Sequence, residues 1–124
     1  MAEFVRRTLL AVPGSNLRMI EKSRSLPADG VFLDLEDAVA PLVKQQARND
    51  VVAALADQPF VDKVVSVRVN GLATEWAADD IEAVVLGAGH RVNTVMLPKV
   101  QTAAEVHAVA DQLQRLERQA GLVS

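Results

Sequence analysis

The sequence predicts an α/β protein built on a parallel sheet, and three observations lead there. Apolar runs and helix-like stretches alternate four times along the 124 residues, each pair about 30 residues long, the length of a strand–helix crossover unit. The apolar runs are near-continuous Val and Leu, as in strands covered on both faces. Turn residues close each run. Four such units suit either a small open doubly wound sheet or half of an eight-unit barrel, which typically takes about 250 residues.

The first run, TLLAVPG (8–14), is halted by Pro13 and Gly14. Ser15 or Asn16 can cap a helix through 17–26, with Leu17, Ile20 and Arg24 at helical spacing. Pro13-Gly14-Ser15-Asn16 reads as a turn and cap, or as an anion site at a helix start. It is not a Walker loop, since no Gly-Lys-Ser/Thr follows. Pro27 to Gly30 is turn chemistry, and VFLDLED (31–37) is the second strand. A helix after Pro41 carries Ala47, Val51, Ala54 and Leu55 on one face. KVVSVRVNG (63–71) is the third strand, ended by Asn70-Gly71. A looser helix covers roughly 75–86 and stops at Gly87 and Gly89, with Glu75, Asp79 and Asp80 as a solvated face and favourable first-turn acids. NTVMLPKV (93–100) is the fourth strand. The last helix opens on a Thr102/Glu105 capping box and has Val106, Val109, Leu113 and Leu116 as its apolar stripe.

Composition narrows the function classes. One Trp, three Phe and no Tyr supply no stacking platform for single-stranded nucleic acid, and a net charge of −3 with scattered Lys and Arg gives no nucleic-acid or anionic-membrane surface. With no Cys there are no disulfides, thiolate metal sites or cysteine nucleophile. The short apolar run before Pro13 is no signal peptide, and no stretch reaches the length of a membrane span. A cytoplasmic protein is expected. His90 and His107 have no partners at metal-ligand spacing and are assigned no role.

Ligands of parallel α/β folds gather at the carboxyl ends of the strands. Here those ends carry Pro-Gly-Ser-Asn, then Asp34, Glu36 and Asp37, then Arg68 and Asn70, then Pro98 and Lys99. Side-chain alternation puts Phe32, Asp34 and Glu36 on one face and Ser66, Arg68 and Asn70 on one face of the next strand. If those faces point to a common interior, Glu36 and Arg68 converge. Taken singly, each acid can instead cap a turn, Arg68 can be an edge residue, and Lys99 can be solvated. A receiver-type open sheet would need acids at the end of the first strand, where Pro-Gly-Ser stands.

The set in order, Arg7-Thr-Leu-Leu-Ala-Val-Pro-Gly-Ser, Asp29-Gly-Val-Phe-Leu-Asp-Leu-Glu-Asp-Ala-Val, Arg68-Val-Asn and Leu97-Pro-Lys, with Lys44 and Arg48 in a Lys-x-x-Ala-Arg stretch, resembles one family over about residues 6–100. It is the citrate lyase β-subunit-like branch of the HpcH/HpaI aldolases, which includes malyl-CoA and citramalyl-CoA lyases. The resemblance implies the N-terminal half, four βα units, of a TIM (β/α)8 barrel. Residues 1–124 would form one partial barrel domain without linker or second domain. It also implies a Mg²⁺-dependent carbon–carbon lyase that cleaves a β-hydroxy acyl thioester to an acyl thioester and a keto acid.

By the same resemblance, Glu36 and Asp37 are the candidate catalytic acids, orienting water ligands of the metal. Arg68 would hold the substrate carboxylate, with Arg7 and Lys99 adding positive charge. No acid in 1–124 matches the family's direct metal ligands, which are expected beyond Ser124. The first and fourth strands would be sheet edges, so a homo-oligomer, or a partner supplying the other barrel half, is expected. The alternative is a truncated, non-catalytic half-barrel serving as a ligand-binding or interaction fragment.

Overall fold

The computed structural model describes residues 5–122. Four parallel strands, β1 (Leu9–Pro13), β2 (Gly30–Asp34), β3 (Val64–Arg68) and β4 (Thr94–Met96), form one sheet in the order β1-β2-β3-β4. The helices α1 (Leu17–Ser23), α2 (Lys44–Asp57), α3 (Ala77–Ala88) and α4 (Ala103–Gln119) follow the strands in turn. Neighbouring strands are neighbours in sequence, so the sheet has none of the reversal that marks a doubly wound topology. β1 and β4 are its edges.

Alternation along the strands sorts the side chains. Val12, Val31, Leu33, Val65 and Val67 meet Ile20, Val51, Leu55, Ile81 and Val84 from the helices, and this is the core. The other face carries Ala11, Phe32, Ser66 and Thr94 in one register row, and Pro13, Asp34, Arg68 and Met96 in the next. Among the described residues no helix layer covers that face, and Leu9 on it is 49% exposed. The expectation of strands covered on both faces is therefore met on the helix side alone. Ser66, Thr94, Asp34 and Arg68 on the second face explain the difference: they sit on the parity opposite the Val/Leu positions.

The helices begin and end for local reasons. Asn16 accepts a hydrogen bond from Met19 N at 3.0 Å and caps α1, so Pro-Gly-Ser-Asn serves as turn and cap. Gly14 lets β1's exit lie against β2, with its N–H donating to Asp34 O at 2.8 Å where a Cβ would come within 2.6 Å of that oxygen. α1 stops at Ser23, short of the expected end, and Arg24 turns to donate to Ala54 O at 2.8 Å and Gln58 O at 3.0 Å at the carbonyl end of α2. Thr102 caps α4 by accepting from Glu105 N at 3.3 Å, while the Glu105 carboxylate accepts from Gln101 N at 2.9 Å.

α3 corrects the sequence reading. Gly87 does not end it; the helix continues to Ala88. A Cβ at Gly87 would lie 2.4 Å from Val52 Cγ1, so the missing side chain is what lets α3 close on α2. Asp80 is not on a solvated face either: it is 1% exposed and turned toward α2 and the exit of β3. None of the described helices is long and apolar enough to cross a membrane.

Candidate functional site

Each strand hands its polar residues to the loops at its carboxyl end. Asp34, the last residue of β2, accepts from Glu36 N at 2.9 Å and Ala38 N at 3.0 Å, which folds the chain into a tight turn. That turn, rather than the strand itself, presents Glu36 and Asp37; β2 ends earlier than the apolar run suggested. Arg68 ends β3 directly opposite Asp34 in the parallel register. Its guanidinium donates to both carboxylate oxygens, Nε to Oδ1 at 2.8 Å and Nη2 to Oδ2 at 2.7 Å. The same group stands 5.2 Å from the centre of the Phe32 ring.

Glu36 is 7% exposed and lies between two cations. Its Oε1 is 3.6 Å from Arg68 Nε and its Oε2 is 2.8 Å from Lys99 Nζ. Lys99 also reaches Asp37 Oδ1 at 3.3 Å. It does so from the loop after β4 with φ at 53°, a left-handed conformation that a lysine adopts at a cost. Three carboxylates and two cations thus make one ion-pair cluster, one negative charge in excess. Glu36, Asp37 and Lys99 border a cavity of about 390 Å³, whose other walls are the loops after β3 and β4, including Leu72, Trp76 and Leu97. Arg68 stands on the far side of Glu36 from it, on the open face of the sheet.

The charges answer one another. Burial pushes the Asp34 carboxyl up, but the Arg68 bond and the Glu36 and Ala38 amides together hold it below its ordinary value. The bond to Asp34 raises Arg68 against a smaller effect of burial. Hydrogen bonds to Glu36 and then Asp37 raise Lys99. All three groups are therefore ionised at neutral pH.

Of the five residues singled out in the sequence, Glu36, Asp37, Arg68 and Lys99 come together. Arg7 does not: it precedes β1 at the opposite end of the sheet, where its Nε and Nη2 donate to Asp29 at 3.1 Å each. Asn70 also departs from the expected parity. Two residues past the end of β3, it turns away from Arg68 and donates to Asp80 through its N–H at 3.0 Å and its Nδ2 at 2.6 Å. Its Oδ1 accepts from Lys44 at 2.7 Å. Sequence reasoning missed this inner cluster. A signal for it exists: Lys44 and Arg48 interrupt the buried stripe of α2 formed by Ala47, Val51 and Leu55, so their charges need buried partners. Among the described residues no group of three or more His, Cys, Asp or Glu is placed to hold a metal ion.

Comparison with known proteins gives a consistent picture. A family model for HpcH/HpaI aldolase/citrate lyase matches residues 7–123. A (3S)-malyl-CoA thioesterase of Cereibacter sphaeroides is 42% identical over 105 residues, covering 85% of this chain and 36% of that protein. The citrate lyase subunit beta of Escherichia coli K12 is 41% identical over 116 residues, covering 94% and 37% respectively. Among solved structures, the Mycobacterium tuberculosis citrate lyase beta subunit complexed with oxaloacetate and magnesium superposes with a TM-score of 0.69 at 37% identity, covering 85% of this chain and 45% of that one. The chain spans little more than a third of the length of these curated relatives.

Proposed function

The chain belongs to the HpcH/HpaI aldolase/citrate lyase family, and on that premise we propose that it carries the keto-acid end of a carbon–carbon lyase site. The substrate class is a β-hydroxy acyl thioester, cleaved to an acyl thioester and a keto acid. The observation that carries the proposal is the cluster itself: Arg68 and Lys99 flank Glu36 where the strands of β2, β3 and β4 end. The sequential strand order supports placing these four units in a larger (β/α)8 barrel.

In this arrangement Arg68 binds the ligand's carboxylate. Asp34 occupies the Nε–Nη2 edge of the guanidinium, while Nη1 makes no hydrogen bond among the described residues, so the fork keeps donors for a second carboxylate. Asp34 also fixes the plane of the guanidinium, so little rotamer freedom is lost when the ligand arrives. Lys99, 69% exposed, exchanges its bonds with Glu36 and Asp37 for the ligand. Glu36 and Asp37 then remain as the acids beside the reacting end.

Magnesium in the oxaloacetate complex of the M. tuberculosis relative supports Mg²⁺ as the cofactor of the complete activity. Among the described residues no three such groups stand together to make that site, and Glu36 and Asp37 are only two carboxylates. The direct ligands are proposed to come from outside residues 1–124. That same observation favours a second role for the chain alone, ligand binding without turnover.

Calorimetric titration with oxaloacetate, alongside an assay of malyl-CoA cleavage, tests both. Binding that disappears in Arg68→Met, without cleavage by the 124-residue chain, is expected. Absence of oxaloacetate binding overturns the keto-acid site, and cleavage by the chain alone overturns the assignment of the metal ligands elsewhere.

A further inference from the structure

From Lys44 and Asn70 in the cavity wall a buried chain of polar side chains runs inward, and the proposed function does not use it. Lys44 Nζ donates to Leu35 O at 3.0 Å, Glu36 O at 2.8 Å and Asn70 Oδ1 at 2.7 Å. Asn70 donates to Asp80 Oδ2 at 2.6 Å, and Asp80 Oδ1 accepts from Arg48 Nε at 2.8 Å. Lys44, Asn70 and Asp80 are 7%, 2% and 1% exposed, and the Arg48 side chain 11%.

We propose that this Arg48–Asp80–Asn70–Lys44 chain is a positioning device that sets Glu36 for the ligand. The inference rests on the keto-acid site proposed above. An ammonium group has three donors, and all three are used here, so Lys44 borders the cavity without being free to bind what enters it. Two of its acceptors are the backbone carbonyls of Glu36 and of the residue before it. These lie just beyond β2, where Leu35 N–H still donates to Arg68 O at 2.9 Å and Glu36 N–H to Asp34 Oδ1 at 2.9 Å, and Lys44 ties down the carbonyl side of the same two residues. Asn70 relays the restraint: its oxygen faces the cation and its amide faces the anion, an orientation that an aspartate would reverse against Asp80. Arg48 completes the line by donating to Asp80 Oδ1, which leaves Oδ2 facing Asn70.

Stability alone does not require the arrangement. Buried ion pairs are often replaceable by apolar residues of similar volume at no cost. Fixing a loop carboxylate to within a fraction of an ångström is a task that such a network does perform. Its members act through Glu36, since the donors of Lys44 and the amide of Asn70 in the cavity wall are already engaged within the chain.

The test follows the Glu36 side-chain carboxyl carbon by NMR, together with oxaloacetate affinity, in Asn70→Ala, Lys44→Met and Arg48→Met. Asn70→Ala leaves Asp80 paired with Arg48 and with the backbone N–H of residue 70, so it is the variant that keeps its fold if the other two do not. The expected result is a displaced Glu36 resonance and affinity weakened about tenfold, the effect typical of losing a supporting hydrogen bond. Asn70→Ala and Lys44→Met combined should do little more than either alone. A folded Asn70→Ala protein whose Glu36 resonance and affinity both equal the parent's overturns the inference, whatever its stability. If the parent binds no oxaloacetate, the keto-acid site fails, and the Glu36 resonance alone still decides whether the chain positions that carboxylate.

Discussion

Asp34 and Arg68 end adjacent strands at paired positions, and the guanidinium meets the carboxylate through two bonds, 2.8 and 2.7 Å long. The parallel register is what makes the pair, since it brings residues 34 apart in sequence into direct opposition. Asp34 holds its own turn with two further bonds, so the same carboxylate shapes the loop that carries Glu36 and orients the arginine beside it.

Arg68→Met should destabilise the fold by about 2–3 kcal/mol, because it leaves Asp34 buried without its cation. The loss falls below the about 3–5 kcal/mol of a fully buried pair, since the Arg68 side chain is 26% exposed. Urea unfolding at pH 7 measures it. Arg68→Lys should recover only part of the loss, as an ammonium cannot repeat the two-point contact.

The pH dependence has a definite sign. The Asp34 carboxyl lies below its ordinary value in the folded chain, so the folded state holds fewer protons than the unfolded one across that interval. Its stabilisation is fully present above the unfolded value of about 3.9 and is lost as pH falls through the lower folded value. The stability gap between the parent and Asp34→Asn should therefore be constant near neutrality and shrink in acid. A gap that widens in acid contradicts the assignment.

Lys99→Met should leave the thermal midpoint close to the parent's, since the residue is on the surface and its backbone conformation remains. Oxaloacetate affinity should nevertheless fall by about tenfold, because Glu36 and Asp37 lose the cation that offsets them. Calorimetry on the folded variant distinguishes this outcome from a structural role.

Gly87→Ala improves helix propensity and should still destabilise, by about 1–2 kcal/mol, because the new methyl overpacks against Val52. Adding Val52→Ala should recover the greater part. Recovery in the double variant identifies the helix contact as the cause.

The alternation of apolar runs and helical stretches was enough to read the elements and the parallel sheet, since each rests on local pattern. Glu36 and Arg68 could be placed near one another because strand parity and the strand-end rule need no long-range information. Other features could not be read that way. Gly87 looks like a helix stop unless the approach of Val52 is known. Asp80 has the sequence of a first-turn surface acid, and its burial depends on Arg48, 32 residues away, and Asn70, 10 away. Asn70 follows strand parity on paper and breaks it because β3 has already ended. Arg7 is a different case: the strand-end rule already puts a residue before β1 at the amino end of the sheet, and the family resemblance alone groups it with Arg68.

The most direct measurement is the side-chain ¹H–¹⁵N spectrum of Arg68 during titration with oxaloacetate. The account predicts that the Arg68 guanidinium signals shift with the same dissociation constant that calorimetry gives, while those of Arg7, paired to Asp29 at the other end of the sheet, stay in place. Saturable binding that moves the Arg7 signals and leaves those of Arg68 unchanged would contradict it.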